Sequence, residues 1–145
     1  MNILFVSISA PPKSGAESLQ VGKYLHYLAK KATITLVTTP VMDIGWKKKD
    51  ESQFYALREI KQIIEINTLS SFGKWGGFIA KKIFKRWLNK PDTDFLFHWE
   101  GKIILKKISS KPNIIYSRST PFSSAILGIK LKQKLSVPWV MHLSD

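Results

Sequence analysis

Short apolar runs alternate with helical patterns along the whole chain. Ile3–Val6 is a compact run of β-forming residues, typical of a strand buried on both faces. From Glu17 to Lys31 the apolar positions recur with the period of an amphipathic helix, and Thr33–Thr39 is a β-branched run stopped by Pro40. These segments predict a βαβ unit, in which the two strands are parallel and the crossover is right-handed.

The same alternation continues through the rest of the sequence. Residues 41–61 are polar and basic, which predicts a surface loop with a short helix over Glu51–Ile60. Further strands are expected at Ile63–Ile66, Asn113–Ser117 and Val137–Leu143, and further helices at Phe78–Leu88, Trp99–Ile108 and Pro121–Lys134, the last capped by Thr120. The fold class is therefore α/β, a doubly wound, Rossmann-like parallel sheet.

Composition limits the chemistry. The 145 residues allow one domain, and the absence of Cys excludes disulfides and thiolate metal sites and is consistent with the cytoplasm. Three widely separated His residues make no metal site, so none is expected. The net charge of +13 favours partners that carry phosphate: a nucleotide, a nucleic acid or an anionic membrane leaflet. The N-terminus lacks the features of a signal peptide, and no apolar stretch approaches the length of a membrane span.

Three loops should meet at one edge of the sheet. Ligands of open parallel sheets bind beyond the carboxyl ends of the strands. Ser9–Glu17, Ser117–Pro121 and His142–Asp145 all follow predicted strands. Their convergence follows from the predicted fold, so this edge is the expected binding cleft.

The first of these loops contains Ser14, Gly15 and Ala16 at the start of a predicted helix. Backbone N–H groups at a helix N-terminus favour an anion such as phosphate. Neither the dinucleotide-binding glycine pattern nor the phosphate-binding loop of nucleoside triphosphatases is present. The alternative is that Gly15 only makes a turn.

The other two loops carry polar side chains. Arg118, Ser119 and Thr120 place a cation and hydroxyl groups at a strand end, where Arg118 could pair with a phosphate or carboxylate. The alternative is an exposed Arg beside an ordinary helix cap. Asp145 is the one candidate for a catalytic residue, as a base or as a ligand of a sugar hydroxyl, unless it is simply solvated.

A basic segment at Phe72–Lys90 suggests contact with a membrane. It contains six of the 23 basic residues and no acidic residue, and its helical pattern separates an apolar half from a basic half. The apolar half could instead pack on the sheet while the basic half meets lipid. The residues predicted to face an anionic surface are Lys74, Trp75, Phe78, Lys81, Lys82, Lys85 and Arg86.

Both ends of the chain resemble a known family. The opening strand, the loop Ala10–Glu17 and the following helix are similar to the start of GT-B glycosyltransferases of the family-four (group one) kind. Pro112–Asp145 is similar as well: it contains Ser-x-Ser-x-Pro-x-Ser, a long helix, Val-Pro-Trp-Val and a terminal Asp. The resemblance covers the two ends of the chain well and the middle poorly.

The resemblance implies a Rossmann-like, acceptor-binding domain that is the N-terminal half of a GT-B enzyme. Such enzymes transfer sugar from a nucleotide-sugar co-substrate with retention and without a metal or other cofactor. Gly15 and Ala16 would lie near the donor, and Ser117–Thr120 near a glycan or lipid-linked acceptor. The family's paired-Glu motif lies in a C-terminal donor domain absent here, and Glu51 and Glu59 do not replace it. Bacterial relatives build cell-surface polysaccharides or glycolipids, which implies a cytoplasmic protein peripheral to the inner face of the plasma membrane.

Residues 1–145 are accordingly expected to be a truncated enzyme, inactive without its second domain. The competing hypothesis is a basic α/β module that binds nucleic acid or a membrane surface without catalysis. Steeply salt-dependent binding to a random duplex would favour the nucleic-acid version. The sequence contains no recognised nucleic-acid motif, so nucleic acid is not the expected partner.

Overall fold

The computed structural model describes residues 1–42, 45–68, 94, 97 and 99–143. Its strands are β1 (Asn2–Val6), β2 (Thr33–Thr38), β3 (Gln62–Glu65), β4 (Ile114–Arg118) and β5 (Trp139–His142). Its α-helices are α1 (Ala16–Ala29), α2 (Gly101–Lys107) and α3 (Ser123–Leu135), and its 3₁₀ helices are Gly45–Lys47 and Glu51–Leu57. The predicted helix at Phe78–Leu88 and the predicted membrane-facing residues 74–86 lie outside the described residues.

The five described strands form one parallel sheet in the order β3-β2-β1-β4-β5. β1 lies at the centre, where Val6 is in register with Val37 of β2 and Ser117 of β4. The order reverses between β2 and β4, on the two sides of β1, which is the point at which doubly wound sheets form a crevice. The predicted α/β, Rossmann-like, doubly wound class is confirmed.

Helices cover both faces of the sheet. On one face Phe5 and Leu36 pack with Val21 and Leu25 of α1. On the other, a separate cluster contains Leu4, Val6 and Ile115 of the sheet, Ile104 of α2, and Leu127 and Leu131 of α3. Successive strand residues point to opposite faces, so β1 contributes to both clusters, as its uninterrupted apolar run predicted. Burial of each large apolar side chain contributes about 1.5–3 kcal/mol.

Two local features differ from the prediction. Helix α3 begins at Ser123 rather than Pro121, because the carbonyls of Pro121 and Phe122 accept short-range bonds from Ser124 and Ala125 in a tighter first turn. The polar segment that follows β2 does contain a short helix, but Lys47 is buried against Asp94 at 2.7 Å and is not a surface residue. Among the described residues no helix is both long enough and apolar enough to cross a bilayer.

Candidate functional site

The loops that follow β1 and β4 meet at the carboxyl edge of the sheet and enclose a cleft of about 290 Å³. Its walls are formed by Ser9, Ser14, Gly15, Ala16, Glu17, Ser18, Thr120 and Pro121. Four of the predicted cleft residues, Ser14, Gly15, Ala16 and Thr120, therefore line one cavity. Arg118 and Ser119 are buried at the adjoining end of β4. Asp145 lies outside the described residues, so its predicted role stays a prediction.

Two hydrogen bonds hold the loops together. The Ser9 hydroxyl donates to the carbonyl of Thr120 at 2.9 Å. The buried N–H of Ile8 donates to Ser124 Oγ at 3.1 Å, which ties the end of β1 to the first turn of α3. Both bonds join segments more than 100 positions apart in the chain, and they set the width of the cleft.

Gly15 forms the N-cap of α1 and lines the cleft. Its φ of 131° and ψ of 156° lie in a region that is essentially restricted to glycine. No side chain caps this end of the helix. The first turn of α1 therefore faces the cleft, with the partial positive charge of a helix N-terminus at that wall.

Arg118 is fully buried, and its guanidinium is engaged by neighbours. Nε donates to Glu17 Oε1 at 2.9 Å, and Nη2 donates to Glu17 Oε2 at 3.2 Å and to Gln20 Oε1 at 2.9 Å. The guanidinium also lies 5.1 Å from the ring centre of Tyr24. An incoming phosphate would have to displace Glu17, so Arg118 positions the Glu17 carboxylate at the cleft wall instead of offering an open anion site.

His142 of β5 connects Arg118 to Tyr116. Arg118 Nη1 lies 3.4 Å from His142 Nε2, and Tyr116 Oη lies 2.7 Å from His142 Nδ1. A guanidinium can only donate, so Nε2 accepts and the ring hydrogen sits on Nδ1, which donates to Tyr116. Burial, followed by nearby Tyr24, raises the pKa of the Tyr116 phenol, which keeps that group neutral.

A buried lysine, Lys13, joins the loop that follows β1 to the end of β2. Lys13 Nζ donates to Thr38 Oγ1 at 2.9 Å and to the carbonyls of Thr39 at 2.6 Å and Ala10 at 3.4 Å. Burial, followed by repulsion from Lys47, lowers the pKa of Lys13 from 10.5 to about 7. The side chain therefore joins the first loop to the end of β2.

Residues in and just before the second 3₁₀ helix also contact the loop that follows β1 and the first turn of α1. Gln53 Nε2 donates to the carbonyl of Lys13 at 2.7 Å, while Gln53 Oε1 accepts from Ser18 Oγ at 2.9 Å. The backbone N–H of Ser14 donates to the backbone carbonyl of Lys48 at 2.7 Å. One wall of the cleft is consequently fixed by contacts on both sides.

Sequence reasoning did not single out Ser9, Ser18, Lys13 or Gln53. The pairing of Ser9 with Thr120 and of Ser18 with Gln53 depends on tertiary contacts that no local spacing encodes. Lys13 stands between two prolines and a serine, a context typical of an exposed turn. Among the described residues, no group of three His, Asp or Glu side chains is placed to hold a metal ion.

Comparisons with known proteins leave the family open. No family model matches the chain, and no curated protein matches it. One similar solved structure is the C-terminal domain of a hydrogenase from Pyrococcus furiosus, at 12% identity and a TM-score of 0.47, covering 97% of this chain and 90% of that one.

Proposed function

We propose that this chain is the acceptor-side domain of a retaining, metal-independent glycosyltransferase that uses a nucleotide-sugar donor in the synthesis of a cell-surface polysaccharide or glycolipid. One observation carries the proposal. Ser14–Glu17 and Thr120–Pro121, which belong to the two loops that carry the glycosyltransferase-like motifs, line a single cleft at the switch point of the sheet.

The chemistry of the cleft suits a sugar. Its walls include the hydroxyl-bearing residues Ser9, Ser14, Ser18 and Thr120 and the carboxylate-bearing Glu17. The hydroxyls of Ser9 and Ser18 already donate to protein groups, so toward a ligand they can only accept. A sugar is a dense array of hydroxyl groups, each of which can donate to a carboxylate or exchange bonds with a serine. Acceptor oxygens match such a ligand better than they match an ionised phosphate, which has no hydrogen to donate to them.

The balance of charge at the wall supports the same choice. Glu17 and Arg118 form a partly buried ion pair, so their charges largely cancel. What is left at the cleft is a carboxylate edge and the positive end of α1, which can orient a neutral polyol from two sides. A nucleotide diphosphate would then be held chiefly by the second domain, as the resemblance implies.

Glu17 would act as a positioning residue in this site. Its carboxylate accepts from an acceptor hydroxyl and holds that hydroxyl in one orientation, while the two bonds from Arg118 hold the carboxylate in place. The departing nucleotide diphosphate needs electrostatic stabilisation that neutral serines cannot supply. We assign that role to the donor-binding domain that the resemblance implies.

Binding of simple glycosides by the 145-residue chain tests the proposal. We expect at least one glycoside of a panel to bind, and its binding should shift the backbone amide resonances of residues 14–18 and 120 in two-dimensional NMR. Thr120→Val should weaken that binding about fivefold, the equivalent of one hydrogen bond. Thr33→Val makes the same change at the opposite edge of the sheet and serves as the matched control.

Two results would count against the proposal. One is that a panel of hexosides and N-acetylhexosaminides shifts no resonance at the cleft. The other comes from the gene: coding sequence beyond residue 145 that lacks a second α/β domain with a Glu pair would remove the glycosyltransferase assignment. A second α/β domain containing that pair would support it.

A further inference from the structure

Positive charge is concentrated in the last third of the chain. From Gly101 to Leu143 the sequence contains eight Lys and Arg residues and no Asp or Glu. Arg118 is paired with Glu17, which leaves seven lysines. Six of them belong to α2 and α3: Lys102, Lys106, Lys107, Lys130, Lys132 and Lys134. Both helices contribute to the same core cluster, so these lysines lie over one face of the sheet.

Helix α3 also presents apolar side chains outward. Its inner face is formed by residues such as Leu127, Gly128 and Leu131, which are buried against the sheet. On the opposite side Phe122, just before the helix, is 57% exposed and Ile129 is 40% exposed, with half-buried Ile126 between them. These positions follow the i, i+4, i+7 spacing of one helix face. A helix that is apolar on both faces has a second apolar surface, which a further partner can bury.

A groove between α2 and α3 is lined by three of the lysines and by one aromatic residue. It has a volume of about 380 Å³ and is lined by Trp99, Gly101, Lys102, Lys130, Gln133 and Lys134. The indole of Trp99 is 58% exposed. The nearest acidic residue in sequence, Glu100, lines a different depression with Glu65 and Lys107. None of the described residues that line this groove carries a carboxylate.

We propose that the outer face of α2 and α3 docks on an anionic phospholipid bilayer. Phe122, Ile126 and Ile129 would enter the interface between headgroups and acyl chains, and Trp99 would lie at headgroup level, where indole is favoured. Lys102, Lys130 and Lys134 would contact lipid phosphates. The basic segment at residues 72–90 is a separate prediction, and this surface does not depend on it.

The composition of the face favours a bilayer over a nucleic acid. Exposed Phe and Ile side chains beside lysines have an apolar partner in a bilayer and none along a phosphate backbone. The cations on this face are lysines, whereas readout of bases relies mainly on the bidentate fork of arginine. The opposite face differs, because Asp50 and Glu51 there interrupt the positive charge.

Vesicle flotation of the 145-residue chain tests the proposal. We expect flotation with mixed phosphatidylcholine–phosphatidylglycerol vesicles and none with phosphatidylcholine alone. The triple variant Lys102→Gln, Lys130→Gln, Lys134→Gln should lower the partition coefficient roughly 100-fold, at about fivefold per lysine near an anionic surface. Its matched control is Lys23→Gln, Lys30→Gln, Lys31→Gln on and after α1, which changes the net charge equally on the other face.

A second pair of variants tests the apolar stripe. Phe122→Gln with Ile129→Gln should lower the partition coefficient at least tenfold, because buried apolar area is lost from the interface. Leu19→Gln with Tyr27→Gln, two exposed positions of α1, is the control and should leave flotation unchanged. Circular dichroism and thermal melting of every variant check that the fold is retained.

Four outcomes would overturn the proposal. The first is no flotation with the anionic vesicles, and the second is an equal loss of flotation in the α1 lysine control. The third is unchanged flotation in both the triple lysine variant and the Phe122/Ile129 variant, and the fourth is tighter binding of a random duplex through the same three lysines. In the third case, loss of flotation on changing Lys81, Lys82, Lys85 and Arg86 to Gln would assign the membrane contact to the other segment. Flotation requires no sugar, so this proposal and the proposed function fail independently.

Discussion

Lys13 shows how one buried cation can position a binding loop. In the folded protein its ammonium group donates to three protein acceptors in place of water. These acceptors belong to two segments of the chain, Ala10 and Thr38–Thr39. Burial still disfavours the charged form, and its pKa falls to about 7. The loop that lines the cleft is therefore tied to the end of β2 through a group that titrates near neutrality.

The stability of the protein should depend on pH through this residue. Between pH 7 and 10.5 the unfolded chain carries a proton on Lys13 that the folded chain has lost, so the free energy of unfolding rises with pH across that window. Below about pH 7 both states are protonated and this contribution stays at its minimum. Urea unfolding from pH 6 to 10 measures the slope, and Lys13→Met should reduce it. Parallel curves for the two proteins would contradict the assignment.

Gly15 is the position where a side chain is least tolerated at the cleft. Its φ of 131° is strained for any other residue, so Gly15→Ala should destabilise the fold by about 1–3 kcal/mol, measured by thermal or urea unfolding. Gly101→Ala provides the control, because the added methyl group would lie 3.8 Å from Leu127, an ordinary contact. Equal stability of the two variants would mean that the strained geometry at Gly15 is not maintained in solution.

At the scale of elements, α3 approaches the sheet closely enough to require glycine. A Cβ at Gly128 would lie 2.5 Å from Trp139 Nε1 and 3.0 Å from Ser117 Oγ. The indole N–H of Trp139 donates to that same Ser117 hydroxyl at 2.9 Å, so neither group can move without losing the bond. The contact sets the distance of α3 from β4 and β5.

Gly128→Ala should therefore destabilise the protein although alanine is the better helix former. The gain in helix propensity is about 1 kcal/mol, and the cost of overpacking is typically about 1–3 kcal/mol. We expect a net loss, detected as a lower urea midpoint with an unchanged denaturant slope. A rise in the midpoint would show that the helix shifts outward at little cost. Removing the hydroxyl, in Ser117→Ala with Gly128→Ala, should recover part of the loss.

At the scale of the whole molecule, the parallel sheet separates two kinds of surface. Its carboxyl edge holds the cleft with hydroxyl groups and a carboxylate. The face covered by α2 and α3 carries lysines and exposed apolar side chains. In a membrane-associated glycosyltransferase these two surfaces would let the protein rest on the bilayer while the cleft receives a lipid-linked sugar.

The 145-residue chain should not transfer sugar on its own. In the proposed reaction the donor is held by a second domain, and none of the described residues that line the cleft is a cation that could stabilise a departing nucleotide diphosphate. Incubation with nucleotide-sugar donors and an acceptor that binds should yield no product. Detectable transfer by this chain would show that the acceptor-side domain contains the whole catalytic apparatus.

The hydrophobic pattern alone determined the fold class and the order of elements. Residues buried on both faces must be apolar at every position, so β1 could be recognised from Ile3–Val6, and parallel strands must end at one edge. That edge brought Gly15 and Thr120 together as predicted. The same rule does not predict where α3 begins. The bonds that Ser124 and Ala125 donate to Pro121 and Phe122 place the start of that helix two residues later than predicted.

Only the tertiary structure decided which charges face the cleft. Arg118 looked like an open anion site because sequence position says nothing about Glu17, its partner 101 positions away in the chain. Lys13 resembled an exposed loop residue for the same reason. The hydrophobic pattern of the sequence indicates which side chains are buried. The pairing of polar groups depends instead on distances between segments that meet only after folding.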